Sequence, residues 1–238
     1  MENVGGGRTH RSSILGYVLK ADVKHYFETV DHELLISIIF KRICDEGILW
    51  LIKKILANHK TSLQGKGMPL GNLTSQFFAN IYLNELDQFV KHELKAKFYI
   101  RYVDDFVILG RDKALLEKYM QKITRFLAIN LKLEMHPEKS RVIPLRRGIT
   151  LLGFRVFYYF KLLKTSNQQR IWKRLSKFEK KLQRGEINSN KIRQSILGWE
   201  GYAKTANTYL LRKRVREEVE CILATTAHGV RLRKHANT

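Results

Sequence analysis

Phe98-Tyr99-Ile100-Arg101-Tyr102-Val103-Asp104-Asp105-Phe106-Val107-Ile108-Leu109 is the stretch that decides the reading of this chain. Its ends are runs of β-branched and aromatic residues, and the acidic pair between them interrupts the apolar pattern. It therefore reads as a β-hairpin with the two aspartates at its turn. An Asp pair between strands is by itself most often a turn former bonded to its own backbone. The surroundings shift that balance. A third aspartate, in Ala21-Asp22-Val23-Lys24, ends another apolar run, Tyr17 to Val23, which reads as a short buried strand.

Adjacent strands would bring Asp22, Asp104 and Asp105 together. Like charges so close are costly unless a cation lies among them. Hard divalent cations take carboxylate oxygens, and joining a nucleotide to a primer uses one cation to activate the 3′-hydroxyl and another to neutralise the triphosphate. The three aspartates point to that chemistry, with Asp22 and Asp104 bridging two ions and Asp105 beside them.

Charge supports a polyanionic partner. The chain has 238 residues with 44 Lys and Arg against 22 Asp and Glu, a formal net charge of +22, and the basic residues are spread through several segments. That distribution suits a long phosphate backbone. With 44% apolar residues there is enough material for a real core. Cys44 and Cys221 are far apart with no CxxC pair, so neither a zinc site nor a disulfide framework is indicated. The N-terminus lacks the apolar core of a signal peptide, and the apolar run Ile48 to Ile52 is too short to span a bilayer, so a cytoplasmic protein with no membrane partner is expected.

Along the chain, residues 1–13 are Gly-, Ser- and Arg-rich and read as a flexible terminus. Asp31 is placed to cap a helix carrying Leu34, Leu35, Ile38 and Ile39, and a second helix follows around Ile48 to Leu56. Thr61 to Leu73 is loop, and Thr74 or Ser75 is expected to open a long helix to about Leu94, docked by Phe77, Ile81, Leu83 and Leu86. Lys113 to Leu131 has helical spacing, whereas Arg141 to Pro144, Thr150 to Val156 and Phe157 to Leu163 are β-rich. Gln168 to Ala224 reads as basic helices with breaks near Gly185 to Asn190 and at Gly198 to Gly201. The expected organisation is α+β, an antiparallel sheet with helices on one face over 14–164, helices over 165–225 and a basic tail over 226–238.

Five motifs in order resemble those of bacterial retroelement reverse transcriptases, related to group II intron and retron enzymes. They are Ala21-Asp22-Val23-Lys24-His25-Tyr26-Phe27 with Asp31-His32, then Gly67-Met68-Pro69-Leu70-Gly71-Asn72-Leu73-Thr74-Ser75-Gln76, the Tyr-Val-Asp-Asp box, His136-Pro137-Glu138-Lys139-Ser140, and Leu151-Leu152-Gly153-Phe154. The resemblance covers residues 19–157 and implies a right-hand polymerase: a ferredoxin-like palm over 14–164 and a helical basic thumb over 165–225.

It further implies two Mg²⁺ ions, with Mn²⁺ as the substitute, on Asp22, Val23, Asp104 and Asp105. Lys24, Tyr26, Phe27, Leu70, Gly71, Gln76 and Lys139 would contact nucleotide, and Gly153 and Phe154 would form the primer grip. Phe27 stands where the family has a ring that excludes a 2′-hydroxyl, and alone it reads equally well as a core aromatic. Lys139 would protonate the leaving pyrophosphate or only balance its charge. The implied partners are an RNA template, a DNA or RNA primer and dNTPs.

Two departures qualify the resemblance. Leu70-Gly71 with Ser75-Gln76 replaces the usual Gln-Gly and Ser-Pro, a form similar to the enzymes of diversity-generating retroelements. Only 21 residues precede Asp22, so the fingers are expected to be missing, with Arg8, His10 and Arg11 as their remnant, or to come from an accessory or fingers-supplying subunit or an upstream continuation. The rival reading is a fingerless, non-catalytic RNA-binding or assembly protein retained for its basic helices, where Trp172, Trp199, Tyr202 and Tyr209 interleave with cations.

Overall fold

The computed structural model describes residues 15–58, 64–69 and 71–235, the last helix beyond residue 225 by its backbone alone. Arg8, His10, Arg11 and Leu70 lie outside the described residues. The chain divides into two compact units, Met1–Arg147 and Gly148–Thr238.

In the first unit β1 (Tyr17–Asp22) leads through a single helical turn, α1 (Tyr26–Thr29), to α2 (His32–Phe40) and α3 (Glu46–Ala57). Both longer helices start on an aspartate cap: Asp31 accepts from the Leu34 amide at 2.9 Å and Asp45 from the Ile48 amide at 2.8 Å. These bonds satisfy donors that have no partner within the helix. Next come α4 (Leu73–Gln88), a π-helical turn Phe89–Glu93, the hairpin β2 (Phe98–Tyr102) and β3 (Asp105–Gly110), α5 (Lys113–Asn130) and β4 (Arg141–Pro144).

The strands form one antiparallel sheet in the order β2-β3-β1-β4, the arrangement of a ferredoxin-like βαββαβ unit. Alternation along the strands divides its residues between two faces. Leu19, Ala21, Phe106 and Ile108 enter the core with Tyr82, Leu83 and Leu86 of α4 and Ile123 and Leu127 of α5. Lys20, Asp22 and Asp105 take the opposite face.

Helix α4 differs from the expectation in two ways. It opens one residue after Asn72, so Ser75 is buried inside it and neither Thr74 nor Ser75 is the cap. Phe78, Ala79 and Tyr82 form the docked stripe with Leu83 and Leu86, whereas Phe77 is exposed. A run with apolar residues on adjacent positions leaves the helix rotation undetermined until a core chooses it.

The second unit begins with a three-stranded antiparallel sheet, β5 (Ile149–Leu151), β6 (Phe154–Val156) and β7 (Lys161–Leu163), followed by α6 (Thr165–Gln183), α7 (Ser189–Ala203) and α8 (Tyr209–His235). The stretch read as one strand from Thr150 to Val156 is thus two, folded back at Leu152-Gly153, both with positive φ. Helix α7 runs through Gly198 to Gly201, and the break falls at the turn before Tyr209 instead. Two glycines in a helix cost roughly 1 kcal/mol each, which the buried Ile192, Ile196 and Ala203 of α7 offset.

These strands go with the helices rather than with the first sheet, so the compact units part before β5, ahead of the expected position near residue 164. The Asn207 amide donates to the Lys161 carbonyl at 2.8 Å and joins β7 to the turn between α7 and α8. Ile171, Leu175, Ile192, Ile196, Val215, Val219 and Ile222 give this unit its own core. Among the described residues no helix is long and apolar enough to cross a membrane.

Candidate active site at the sheet edge

Strand β1 carries Asp22 at its last position and β3 carries Asp105 at its first, and the two residues pair directly in the ladder. Tyr102 pairs with Asp105 across the hairpin, which leaves Val103 and Asp104 as a two-residue loop. Val103 has φ of +55°. A positive φ at the first loop position alone is the sign pattern of a II′ turn, which normally takes glycine there. A β-branched residue in that region is strained by about 1–2 kcal/mol, and such strain persists where surrounding contacts over-determine it.

Arg101 supplies those contacts. Its Nε and Nη2 donate to the two carboxylate oxygens of Asp87 at 2.8 and 2.6 Å, and Nη1 donates to the Val103 carbonyl at 2.9 Å. Tyr99 Oη adds a bond to Asp87 Oδ1 at 2.6 Å. Burial works against the Arg101 charge, but the bond to Asp87 and the Asp87 charge, added together with the smaller effects of Tyr99 and Tyr26, hold its pKa above the ordinary value. The turn bearing Asp104 is thereby fastened to α4.

A cavity of about 240 Å³ opens at this edge, and Asp22, Asp104, Phe27 and Lys139 are among the residues that line it. Asp22 is buried, and Lys139 Nζ donates to its Oδ2 at 2.7 Å. That bond raises the Lys139 pKa above the ordinary lysine value, so the ammonium keeps its proton. Asp104 titrates above the usual carboxylate range, first because it is half-buried and then because the charges of Asp22 and Asp105 repel its own. Asp105 does not line the cavity; its carboxylate lies 3.5 Å from Lys20 Nζ.

Among the described residues no group of three or more His, Cys, Asp or Glu side chains is gathered into a ready-made metal cage. The donor chemistry nevertheless suits a hard cation. Two aspartates, Asp22 and Asp104, share one cavity with Glu28, Asp105 is the ladder partner of Asp22, and Asp104 carries a repulsion that a cation would relieve.

The other expected contacts are placed unevenly. Val23 and Tyr26 line the cavity, but Tyr26 is buried and spends its hydroxyl on the Ala79 carbonyl at 2.6 Å, so it anchors the motif to α4. Its phenol titrates well above the ordinary value because it is buried. Phe27 is half-buried, edge-on to Tyr26 with centroids 5.4 Å apart, and packs on the core as well as facing the cavity. Lys24 is turned away, paired with Glu134 at 2.9 Å.

Gly71 (φ +93°) and the exposed Gln76 do not line the cavity. The loop before them is fixed to the first motif nonetheless. The Met68 amide donates to the Phe27 carbonyl at 2.6 Å, the Gly67 amide to the Val30 carbonyl at 2.8 Å, and His32 Nε2 meets the Gly67 carbonyl at 2.6 Å. Gly153 and Phe154 belong to the second unit. A Cβ on Gly153 would lie 2.7 Å from both Asn167 Nδ2 and Tyr202 Oη, and Phe154 packs on Tyr202 at 5.0 Å.

Sequence reasoning did not single out His25, Glu28 or His136, which also line the cavity. His136 lies within a quoted motif, and its backbone amide donates to the Asp22 carbonyl at 2.8 Å while its buried Nδ1 has no partner among the described residues. The Arg101–Asp87 clamp was equally invisible. Only the pairing of β2 with β3 beside α4 brings those residues together.

Comparison with known proteins bears on the family. Residues 8–156 match the family described as "Reverse transcriptase (RNA-dependent DNA polymerase)". Protein YkfC of Escherichia coli is 27% identical over 177 residues, covering 59% of this chain and 46% of that protein. Group II intron-encoded protein LtrA of Lactococcus lactis subsp. cremoris is 39% identical over 90 residues, covering 34% of this chain and 14% of that protein. The chain thus spans less than half the length of either relative. Apo telomerase from Candida tropicalis shares the fold at a TM-score of 0.52 and 16% identity, over 92% of this chain and 44% of that one. With the family match extending over more than half of its length, the chain belongs to the reverse transcriptase family.

Proposed function

We propose that this chain is an RNA-directed DNA polymerase of a bacterial or phage retroelement, adding dNTPs to a primer 3′-hydroxyl on an RNA template. The observation that carries the reading is the shared cavity of Asp22, Asp104, Phe27 and Lys139 at the edge of an antiparallel sheet. On this reading the first unit is the palm and the helices of the second are the thumb. Asp22, Asp104 and Asp105, with the Val23 carbonyl, would hold Mg²⁺ or, in its place, Mn²⁺. Bound there, the metal would lower the pKa of the 3′-hydroxyl and neutralise the triphosphate.

The chain's own residues do the rest. Phe27 presents its ring where the sugar would lie, and excludes a 2′-hydroxyl. Lys139, kept protonated, balances charge on the departing pyrophosphate or gives it a proton as the α-phosphorus bonds to the 3′-oxygen. Arg101 holds the Asp104 turn still. Gly153 and Phe154 would grip the primer, and the basic thumb would hold the primer-template backbone.

Leu70-Gly71 and Ser75-Gln76 favour the diversity-generating subtype, with Leu70 in place of a buttressing glutamine. The test is Mg²⁺-dependent dNTP incorporation on a primed RNA, with Asp22→Asn alongside and with an upstream extension or a fingers-supplying subunit as a third arm. Incorporation that Asp22→Asn removes supports the reading. RNA binding without incorporation in any arm replaces it with the non-catalytic scaffold.

A further inference from the structure

The turn between β6 and β7 consists of four consecutive aromatic residues, Phe157-Tyr158-Tyr159-Phe160, in which the outer pair and the inner pair are placed differently. Phe157 and Phe160 stack on each other at 4.6 Å with 24° between planes, and the Phe157 amide donates to the Phe160 carbonyl at 2.8 Å, so they close the turn. Gly148 leaves room for them: a Cβ there would lie 2.8 Å from the Phe157 ring. Tyr158 and Tyr159 are thrust outward, 70% and 72% exposed, with their rings 4.6 Å apart.

Two large exposed aromatics held on a closed hairpin are costly to leave in water, and a fixed tip lowers the entropy lost when a ligand stacks on it. The charge around the tip selects the ligand. From Arg141 to Phe178 there is no Asp or Glu at all, and the second unit carries twenty Lys and Arg against six Glu and no Asp. Arg155 and Lys161 flank the tip on β6 and β7 and lie over the rings of Phe157 and Phe154 at 5.3 Å each. Stacking faces bordered by cations, with no anion in the local chain, match unpaired bases on a phosphate backbone. A duplex, whose bases are already stacked, offers such rings much less.

We propose that Tyr158 and Tyr159 form a stacking platform for unpaired nucleotides, a single-strand binding site additional to the grip on primer-template duplex. It rests on the reading of the chain as a nucleic-acid polymerase only for its biological use; the binding itself is measurable without synthesis. The site is sequence-tolerant and takes RNA and DNA alike, since every base presents a π face.

The experiment measures binding of labelled single-stranded RNA and DNA oligomers and of a blunt RNA-DNA hybrid to the full chain, by fluorescence anisotropy at several salt concentrations. The variants are Tyr158→Ala/Tyr159→Ala and, as the control for folding, Tyr158→Phe/Tyr159→Phe. Expected for the Ala pair is a loss on the order of tenfold or more for single strands, with the hybrid little affected and the salt slope unchanged, because no charge is removed. The Phe pair binds like the parent. Crosslinking to 5-iodouridine RNA should map to the tip. The proposal is overturned if the Ala pair binds single strands as the parent does, if single strands and hybrid weaken equally, or if the pair changes only self-association in sedimentation.

Discussion

Asp22 and Asp105 face each other as direct partners across the β1–β3 ladder, two carboxylates on the same side of one sheet. Like charges placed opposite are destabilising in a ladder, and here each has a lysine against it, Lys139 on Asp22 at 2.7 Å and Lys20 on Asp105 at 3.5 Å. Asp104, in the loop beside them, has no lysine within salt-bridge distance among the described residues, and burial together with the charges of Asp22 and Asp105, only partly offset by Lys139, raises its pKa. The site therefore gives up stability for charge density.

That trade is measurable with Asp104→Asn. The raised pKa means that ionising Asp104 costs folding free energy as pH climbs from the ordinary carboxylate value through the raised one, so the penalty is greater at neutral pH than in acid. The Asn variant should melt higher than the parent at pH 7, by a few tenths to about 1 kcal/mol for a half-exposed group. The gain should vanish below about pH 4, where both states of the parent are protonated. Incorporation should fall by at least about a hundredfold, the scale of losing one electrostatic element of a transition-state site. A variant equally stable at all pH values would remove the repulsion argument.

Asp31 titrates the other way. Burial would raise its pKa, but the bonds from Lys132 Nζ at 2.7 Å and from the Leu34 amide prevail and hold it below the ordinary value. Its contribution is present above the unfolded carboxylate pKa and lost as pH falls through the depressed folded one. Asp31→Ala should cost about 1 kcal/mol at pH 7 through the lost cap, and the gap to the parent should close on acidification. Thermal melts at pH 7 and pH 3 check both the size and the sign.

The Arg101–Asp87 clamp should be the costliest polar contact to cut. Arg101→Met leaves Tyr99 Oη as the remaining partner of the Asp87 carboxylate among the described residues and releases the Val103 carbonyl. A loss of about 3 kcal/mol is expected, the lower end for a largely buried pair missing one partner. The double variant Arg101→Met/Asp87→Leu should recover part of it, and urea denaturation of the four proteins in the cycle gives the coupling energy.

Val103→Gly should stabilise the fold and impair the enzyme. Glycine accepts the φ of +55° without the left-handed penalty, a gain of about 1 kcal/mol less the added chain entropy of the unfolded state. The same freedom lets the Asp104 loop move. Higher melting together with slower incorporation is the expected pair of results, and lower melting would show that the valine side chain contributes more by packing than its backbone loses.

Much of this was legible in one dimension because strands and caps are local. The existence of a hairpin beside Asp104, the helix starting at Asp31 and the strand ending at Asp22 follow from alternation and capping, which depend only on near neighbours in the chain, whereas the turn itself falls on Val103-Asp104 and leaves Asp105 on the strand instead of at the turn. Motif order likewise carried the family. The rotation of α4, the turn at Leu152-Gly153 and the continuation of α7 through two glycines depended on which surfaces each element met. No local pattern contains that information. The amino-acid sequence by itself determined which carboxylates lie at strand ends and that the chain is strongly basic. Only the tertiary structure decided that Lys139 binds Asp22, that Lys24 turns to Glu134, and that Arg101 clamps the Asp104 turn, because charge pairing between distant residues is settled by the register of β1 against β3 and the packing of α4 beneath them.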